Sequence, residues 1–274
     1  MFRGLYIATS GLMAHNRKQQ VLTNNLANAN TPGFKQDETV LRAFPAQLIQ
    51  AMQAGKHPAT IGKLHTGVYA QEGIPSFVQG ALKETGNPTD ISLLSGALPV
   101  DPETQQQGTL LFAVNAGDGQ IRYTQNGQFA VDQDGFLTTA DGLNVLDANF
   151  QTIRTDSENF TVQGNGEIIR EDGTNANQLW VGYTNDPEQL VKEGHNLLRW
   201  EGDFENAPLG IEAAGLPNMP GDFVKQGMVE QSNVDLTRTM TDMMSTYRSF
   251  ESSQKVIQAY DRSMEKAVNE IGRV

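Results

Sequence analysis

The sequence predicts an α+β protein: long N- and C-terminal helices forming a coiled-coil-like layer, with a central antiparallel all-β domain between them. Three observations lead to this class. A seven-residue apolar repeat runs unbroken through the C-terminal end. A weaker version of it occupies the N-terminal end. Between them, short apolar or alternating runs are punctuated by Asp-Gly and Asn-Gly pairs.

The C-terminal repeat is the clearest element. Taken alternately four and three residues apart, Leu236, Met240, Met243, Tyr247, Phe250, Gln254, Ile257, Asp261, Met264, Val268 and Ile271 form one line, apolar at all but Gln254 and Asp261. Such spacing keeps a single stripe turned toward a partner and marks a coiled-coil seam. Neither Gly nor Pro falls between Val229 and Ile271 to interrupt it. Gly272 stands where a C-cap glycine belongs, and Ser232, Asn233 or Asp235 can each serve as N-cap. The helix is therefore expected over 232–274, after a linker at 217–231.

At the other end, Leu5, Ala8, Leu12, His15, Gln19, Leu22, Leu26 and Ala29 repeat the same spacing. Pro32 disfavours helical geometry in the residue before it and Gly33 follows, so this helix is expected over 1–31. Asn24, Asn25, Asn28 and Asn30 crowd its last two turns. Asparagine competes for backbone groups and is a poor helix interior residue. Two readings follow: a frayed helix end, or amides that bond to neighbouring chains in a packed assembly.

Residues 32–67 read as a connecting segment, with a short helix over Pro45–Met52 through Leu48, Ile49 and Met52. Residues 68–216 read as the β-domain. Its expected strands are Leu110–Val114, Gln120–Thr124, Phe129–Val131, Phe136–Thr139, Asn144–Leu146, Phe160–Gln163, Glu167–Arg170, Leu179–Tyr183 and Leu197–Trp200. Between them lie Asn126-Gly127, Asp134-Gly135, Asp141-Gly142, Asn165-Gly166 and Asp172-Gly173, which supply the positive φ that tight hairpins need. Many strands at close spacing imply antiparallel pairing.

Composition narrows the function. The 274 residues contain no cysteine, which excludes a disulfide framework and thiol chemistry. No stretch reaches the ~18–20 apolar residues of a membrane span, so membrane insertion is not expected. Met1–Gln20 lacks an apolar run of the kind a cleavable signal peptide has, so none is expected, and if the protein leaves the cytoplasm it needs another route. Charge is unevenly placed: residues 1–36 carry +4, residues 37–227 carry −15 and residues 228–274 carry −1. An acidic body disfavours nucleic acid and anionic membranes as partners.

Catalytic patterns are missing. His15, His57, His65 and His195 are scattered, with no H-E-x-x-H spacing. No G-x-S-x-G elbow and no Gly-Lys-Ser/Thr phosphate loop occurs. Asp132-Gln133-Asp134-Gly135 starts like a calcium loop, but the positions that need Gly and Glu hold Leu137 and Leu143. No catalytic, cofactor or metal residue is expected. Two acids from distant positions can still meet, which keeps a secreted cell-wall-binding or peptidoglycan-processing β-domain protein as the alternative.

The N-terminal runs Ser10-Gly11-Leu12-Met13-Ala14 and Leu22-Thr23-Asn24-Asn25-Leu26-Ala27-Asn28-Ala29-Asn30-Thr31-Pro32-Gly33-Phe34-Lys35 resemble the bacterial flagellar rod and hook protein family. Gly227-Met228-Val229-Glu230-Gln231-Ser232-Asn233-Val234-Asp235 is similar to its second signature, which opens the C-terminal helix. Thr85-Gly86-Asn87-Pro88-Thr89-Asp90-Ile91 and Tyr123-Thr124-Gln125-Asn126-Gly127-Gln128-Phe129 resemble motifs at the start of the family's β-domain. Two departures stand out: residues 98–108 intervene before the first long strand, and Gln125 replaces the family's usual Arg.

The resemblance implies a non-enzymatic subunit of the distal rod or rod-to-hook segment, polymerising through its terminal helices into a hollow torque-transmitting shaft. The implied partners are copies of itself, other rod and hook proteins and the flagellar type III export apparatus. The implied location is the basal body outside the cytoplasmic membrane, in the periplasm or cell-wall zone. The expected assembly interface comprises Leu5, Leu12, Leu22, Asn24, Asn25, Leu26, Asn28, Leu236, Met240, Met243, Tyr247, Phe250, Ile257, Met264 and Val268. Phe250 is its strongest candidate anchor, because an aromatic side chain buries the most area.

Overall fold

A computed structural model of the chain describes residues 2–44, 47–51, 59–64, 67–71, 73–95, 98, 107–117, 119–203, 207–211 and 222–271. The chain divides into two compact units. One holds Met1–Ala27, Asp37–Ile74 and Asp235–Val274; the other holds Asn28–Gln36 and Pro75–Val234. The expected C-cap Gly272, the loop histidines His57 and His65, and most of the 98–108 insertion lie outside the described residues.

The first unit is built on two helices. Helix α1 spans Phe2–Ala27. It ends short of Thr31, whose N–H instead donates to Asn28 O at 3.1 Å to close a turn. Helix α2 spans Leu236–Lys266 and runs into a π-helical turn at Ala267–Ile271. Asp235 is the N-cap, its Oδ1 accepting from Arg238 N at 3.1 Å. Ser232 and Asn233 are not caps because the helix opens only at Leu236. The helix expected over Pro45–Met52 is instead a strand. Gln47–Ala51 pairs antiparallel with Ala59–Leu64, while Pro45 and Met52 lie outside the described residues. A run as short as Leu48-Ile49 does not fix its own period; a partner strand supplies the ladder that decides it.

The two helices run antiparallel, since Gly4 lies against Tyr260 and Gly11 against Ser253. A Cβ at Gly4 would fall 1.9 Å from Tyr260 Oη. The covered side of α2 carries buried Thr239 and Thr246 and half-buried Met243, Phe250, Ser253, Ile257, Tyr260 and Met264. This is again a 4,3 line, but not the expected one. The two share Met243, Phe250, Ile257 and Met264. The other ridge of the expected line (Met240, Tyr247, Gln254, Asp261, Val268) is exposed, and so is Leu236. Glycine on α1 makes room for this ridge: Gly4 accommodates the Tyr260 ring, and Gly11 lies against the small Ser253. The two polar members that broke the expected line, Gln254 and Asp261, both belong to the ridge left outside.

The second unit is a β-body. Its main sheet has nine strands among the described residues, in the order Phe129–Val131, Leu137–Thr139, Asn144–Val145, Thr109–Asn115, Ile121–Thr124, Leu197–Trp200, Leu190–Gly194, with Val181–Thr184 on the same edge of the central strand and Leu209–Gly210 beyond it. Every pairing is antiparallel. Thr109–Asn115 reads as a continuous apolar run because both of its faces are covered. Leu110, Phe112 and Val114 enter the large core with Ile91, Phe129, Leu137 and Ile153. Leu111 packs with Leu190 and Leu198, and Ala113 with Leu146 and Trp180. A three-stranded sheet (Thr161–Val162, Glu167–Ile169, Asn175–Gln178) and the pairs Ile91–Leu93 with Val224–Gln226 and Leu82–Glu84 with Met228–Glu230 complete the body.

Four of the Asx-Gly pairs behave as turns: Gly135, Gly142, Gly166 and Gly173 all have positive φ. Asn126-Gly127 does not. Gly127 is glycine because its backbone touches a neighbouring strand: Ile91 N donates to Gly127 O at 2.9 Å, and a Cβ there would sit 1.5 Å from Ile91 O. Backbone, unlike a flexible side chain, cannot step aside. Gly127→Ala is therefore expected to destabilise the β-body by about 1–3 kcal/mol in denaturant unfolding, while Gln128→Ala, on the exposed neighbour, stays within about 0.5 kcal/mol.

Candidate assembly site

The recognisable sequence runs converge in the β-body on one buried junction. Gly33, at φ 68°, packs against the backbone of Asn126, and its N–H donates to Glu230 O at 2.8 Å. Pro32 O accepts from Asn196 Nδ2 at 3.1 Å. Phe34 is buried with the Lys192 ammonium 4.3 Å from its ring centroid, and that ammonium donates to Lys35 O at 2.6 Å. Lys35 Nζ meets Glu230 Oε1 at 2.6 Å, with side chains only 4% and 3% exposed. The ammonium also donates to Val78 O at 3.0 Å, and Glu230 Oε1 accepts from Gly80 N at 2.7 Å. Asn233 adds a second clamp: its Oδ1 accepts from Gln36 N at 2.7 Å, and its Nδ2 donates to Ser76 O at 2.8 Å. Burial pushes the Lys35 pKa down, and the adjoining Glu230 carboxylate works in the opposite direction without reversing it.

The middle motif closes the same junction. Asp90 Oδ2 accepts from Thr85 Oγ1 at 2.6 Å and Asn87 Nδ2 at 3.1 Å, and Asp90 O accepts from Gly227 N at 2.8 Å. Gln125 is buried, its Nε2 donating to Thr109 Oγ1 at 2.6 Å and Leu110 O at 3.0 Å. Of these groups, Lys35, Glu230, Asn233 and Asp90 escaped notice in the sequence as a connected set. The available signal was the placement of charged residues inside runs that are otherwise apolar or turn-forming.

In the helical unit, Asn25 is buried, its Nδ2 donating to Asp37 O at 2.9 Å and its Oδ1 accepting from Asp37 N at 2.9 Å. Its amide thus ties the chain to itself. Asn24 is exposed and Asn28 half-buried. Leu5, Leu12, Leu22 and Leu26 are half-buried, as are Met243, Phe250, Ile257 and Met264. Leu236, Met240, Tyr247 and Val268 are exposed. The expected interface residues therefore fall on two different sides of the helix pair.

His15 lines a groove of about 520 Å³ with Ser245, Arg248, Ser249, Ser252 and Ser253. Ser249 and Ser253 spend their hydroxyls on carbonyls one turn back, Ser245 O and Ser249 O, each at 3.0 Å. His15 Nδ1 is buried without a partner. Burial lowers its pKa, and the charge of Lys18 lowers it further.

Among the described residues no group of three or more His, Cys, Asp or Glu could hold a metal, and no helix is long and apolar enough to cross a membrane. Asp132 Oδ1 accepts from Asp134 N at 3.0 Å and Phe136 N at 2.7 Å, so this carboxylate is spent on a hairpin turn. An apolar groove of about 360 Å³ beside Phe150, Trp180, Leu209 and Phe223 is lined by neither acid nor histidine.

Three family descriptions match the chain: "Flagella basal body rod protein" over residues 5–35, "Flagellar hook protein FlgE/F/G D1 domain" over 107–170, and "Flagellar basal body rod FlgEFG protein C-terminal" over 225–270. Among curated proteins, the chain is 42% identical over 279 residues to the flagellar hook-basal body complex protein FlhO of Bacillus subtilis, covering 100% of both chains. It is 31% identical to the flagellar basal-body rod protein FlgG of the same organism, covering 98% of this chain and 99% of that one. It is 27% identical to the flagellar basal-body rod protein FlgF of Caulobacter vibrioides, with complete coverage of both.

Two outcomes test this geometry. Lys35→Ala strands the Glu230 carboxylate, and the expected cost is about 3–5 kcal/mol in equilibrium unfolding of the β-body. Lys35→Met with Glu230→Leu removes both charges and should recover a large part of that loss. Separately, the neutral form of His15 is favoured in the folded helix pair, so the unfolded chain takes up the proton first. Its contribution to stability is complete above the ordinary value of 6.5 and is lost as pH falls from there toward the lower folded-state pKa. Helical circular dichroism against temperature should show the pair weakening over that window, and His15→Gln should flatten the dependence.

Proposed function

Because this chain belongs to the flagellar basal-body rod and hook protein family, we propose that it is a subunit of the distal rod or rod-to-hook segment, polymerising through its terminal helices into a hollow shaft that transmits torque. The family is one of structural proteins, not enzymes, and its homologues are flagellar basal-body components. That leaves the peptidoglycan-processing alternative without support.

The observation that carries the reading is the construction of the helical unit. Helices from opposite ends of the chain join in one body, distinct from the β-body inserted between them. They bury a narrow seam and leave large apolar side chains exposed. A monomeric protein gains nothing from such exposure; an axial subunit uses it for neighbours. On this reading the partners are other copies and other rod or hook proteins, and the subunit reaches the periplasm or cell-wall zone through the flagellar type III export apparatus.

Electron micrographs of basal bodies from a strain lacking this protein test the proposal. The expected result is a rod that stops short, without a hook, restored by the intact gene. Complete rods with hooks in the deletion strain would overturn it.

A further inference from the structure

The helical unit has two apolar stripes that the seam does not use. On α2, Met240 and Tyr247 stand seven residues apart with Met244 between them, and Met244 and Tyr247 are 65% and 55% exposed. On α1, Tyr6 and Met13 also stand seven residues apart, at 59% and 67% exposed. Equal spacing lets one stripe lie along the other with Tyr6 opposite Tyr247 and Met13 opposite Met240. Arg17 then falls beside Leu236 and the exposed carboxylate of Asp235. Helix α1 carries basic residues and no acid, so the charges at that end are complementary.

One copy cannot make this contact with itself. Within the unit, Gly4 meets Tyr260 and Gly11 meets Ser253. That places Met13 level with Glu251, eleven residues from Met240. At 1.5 Å per residue the two stripes are offset by about 16 Å along the pair. Resting on the assembly role proposed above, the geometry points to a second copy as the occupant. The α1 stripe of one subunit (Tyr6, Met13) lies on the α2 stripe (Met240, Met244, Tyr247) of a neighbour displaced by that offset. The two patches differ, so the contact is heterologous. Every bound copy presents a fresh α2 or α1 stripe, and the array grows instead of closing.

Single-stripe variants of the full chain test this. Met13→Glu disables the α1 stripe and Met244→Glu the α2 stripe. Both positions are exposed, so circular dichroism of each variant should match the parent. Analytical ultracentrifugation across concentration is expected to show the parent growing past the dimer and each variant alone remaining monomeric. An equimolar mixture of the two should stop at a dimer, because each supplies the one stripe the other lacks. Growth of either variant like the parent, no pairing in the mixture, or a parent that stays monomeric or stops at a dimer would overturn the assignment. The proposed rod function would be untouched by those results, since it stands or falls on the deletion-strain basal bodies.

Discussion

The buried pair of Lys35 and Glu230 is the constraint on which the β-body depends. Taking two charges out of water is costly, and their attraction compensates only where geometry is fixed and spare lone pairs and protons are satisfied. Here the spare valences go to Val78 O and Gly80 N. The pair therefore tolerates one arrangement of three segments that are far apart in sequence: the passage into the body, the approach to the first strand, and the passage out. It specifies a register more than it adds stability. Asn233 repeats the logic with neutral groups, binding Gln36 N on one side and Ser76 O on the other. Asp90 does so again where Thr85, Asn87 and Gly227 meet. Polar groups buried at a crossing of loops are demanding to satisfy, and for that reason they admit few alternatives.

The helical unit solves a different problem by a different route. Its covered ridge mixes small Thr239, Thr246 and Ser253 with large Met243, Phe250, Ile257, Tyr260 and Met264, and Gly4 of α1 makes room for the Tyr260 ring. Met240 and Tyr247, on the other ridge, stay on the outside. Burial in the single chain and exposure on its surface are two results of one choice of ridge.

Much of this was legible in the sequence. The order helix, β-body, helix follows from the change of hydrophobic period, and the strands Thr109–Asn115, Phe129–Val131 and Leu197–Trp200 sit where alternating or apolar runs put them. What was not legible has physical reasons. Hydrophobicity ranks ridges by how apolar they are, so it favoured Met240 and Tyr247 over Thr239 and Thr246; which ridge the single chain covers is not written in α2. Strands such as Asn175–Gln178 and Leu82–Glu84 carry no apolar pattern, and their pairing is dictated by partners. The junction was visible as a set of motifs but not as a contact, because Lys35 and Glu230 lie 195 residues apart and only the fold brings them together.

Within the β-body, Gly33 N donates to Glu230 O at 2.8 Å, so a segment from the beginning of the chain lies directly against the one that leads out of the body. The chain comes back to that place after everything between Pro75 and Val234. The entropy of closing so long a loop grows only with the logarithm of its length. Lengthening or trimming the body away from this closure therefore costs little in chain entropy, and the contact of Gly33 with Glu230 need not register the change.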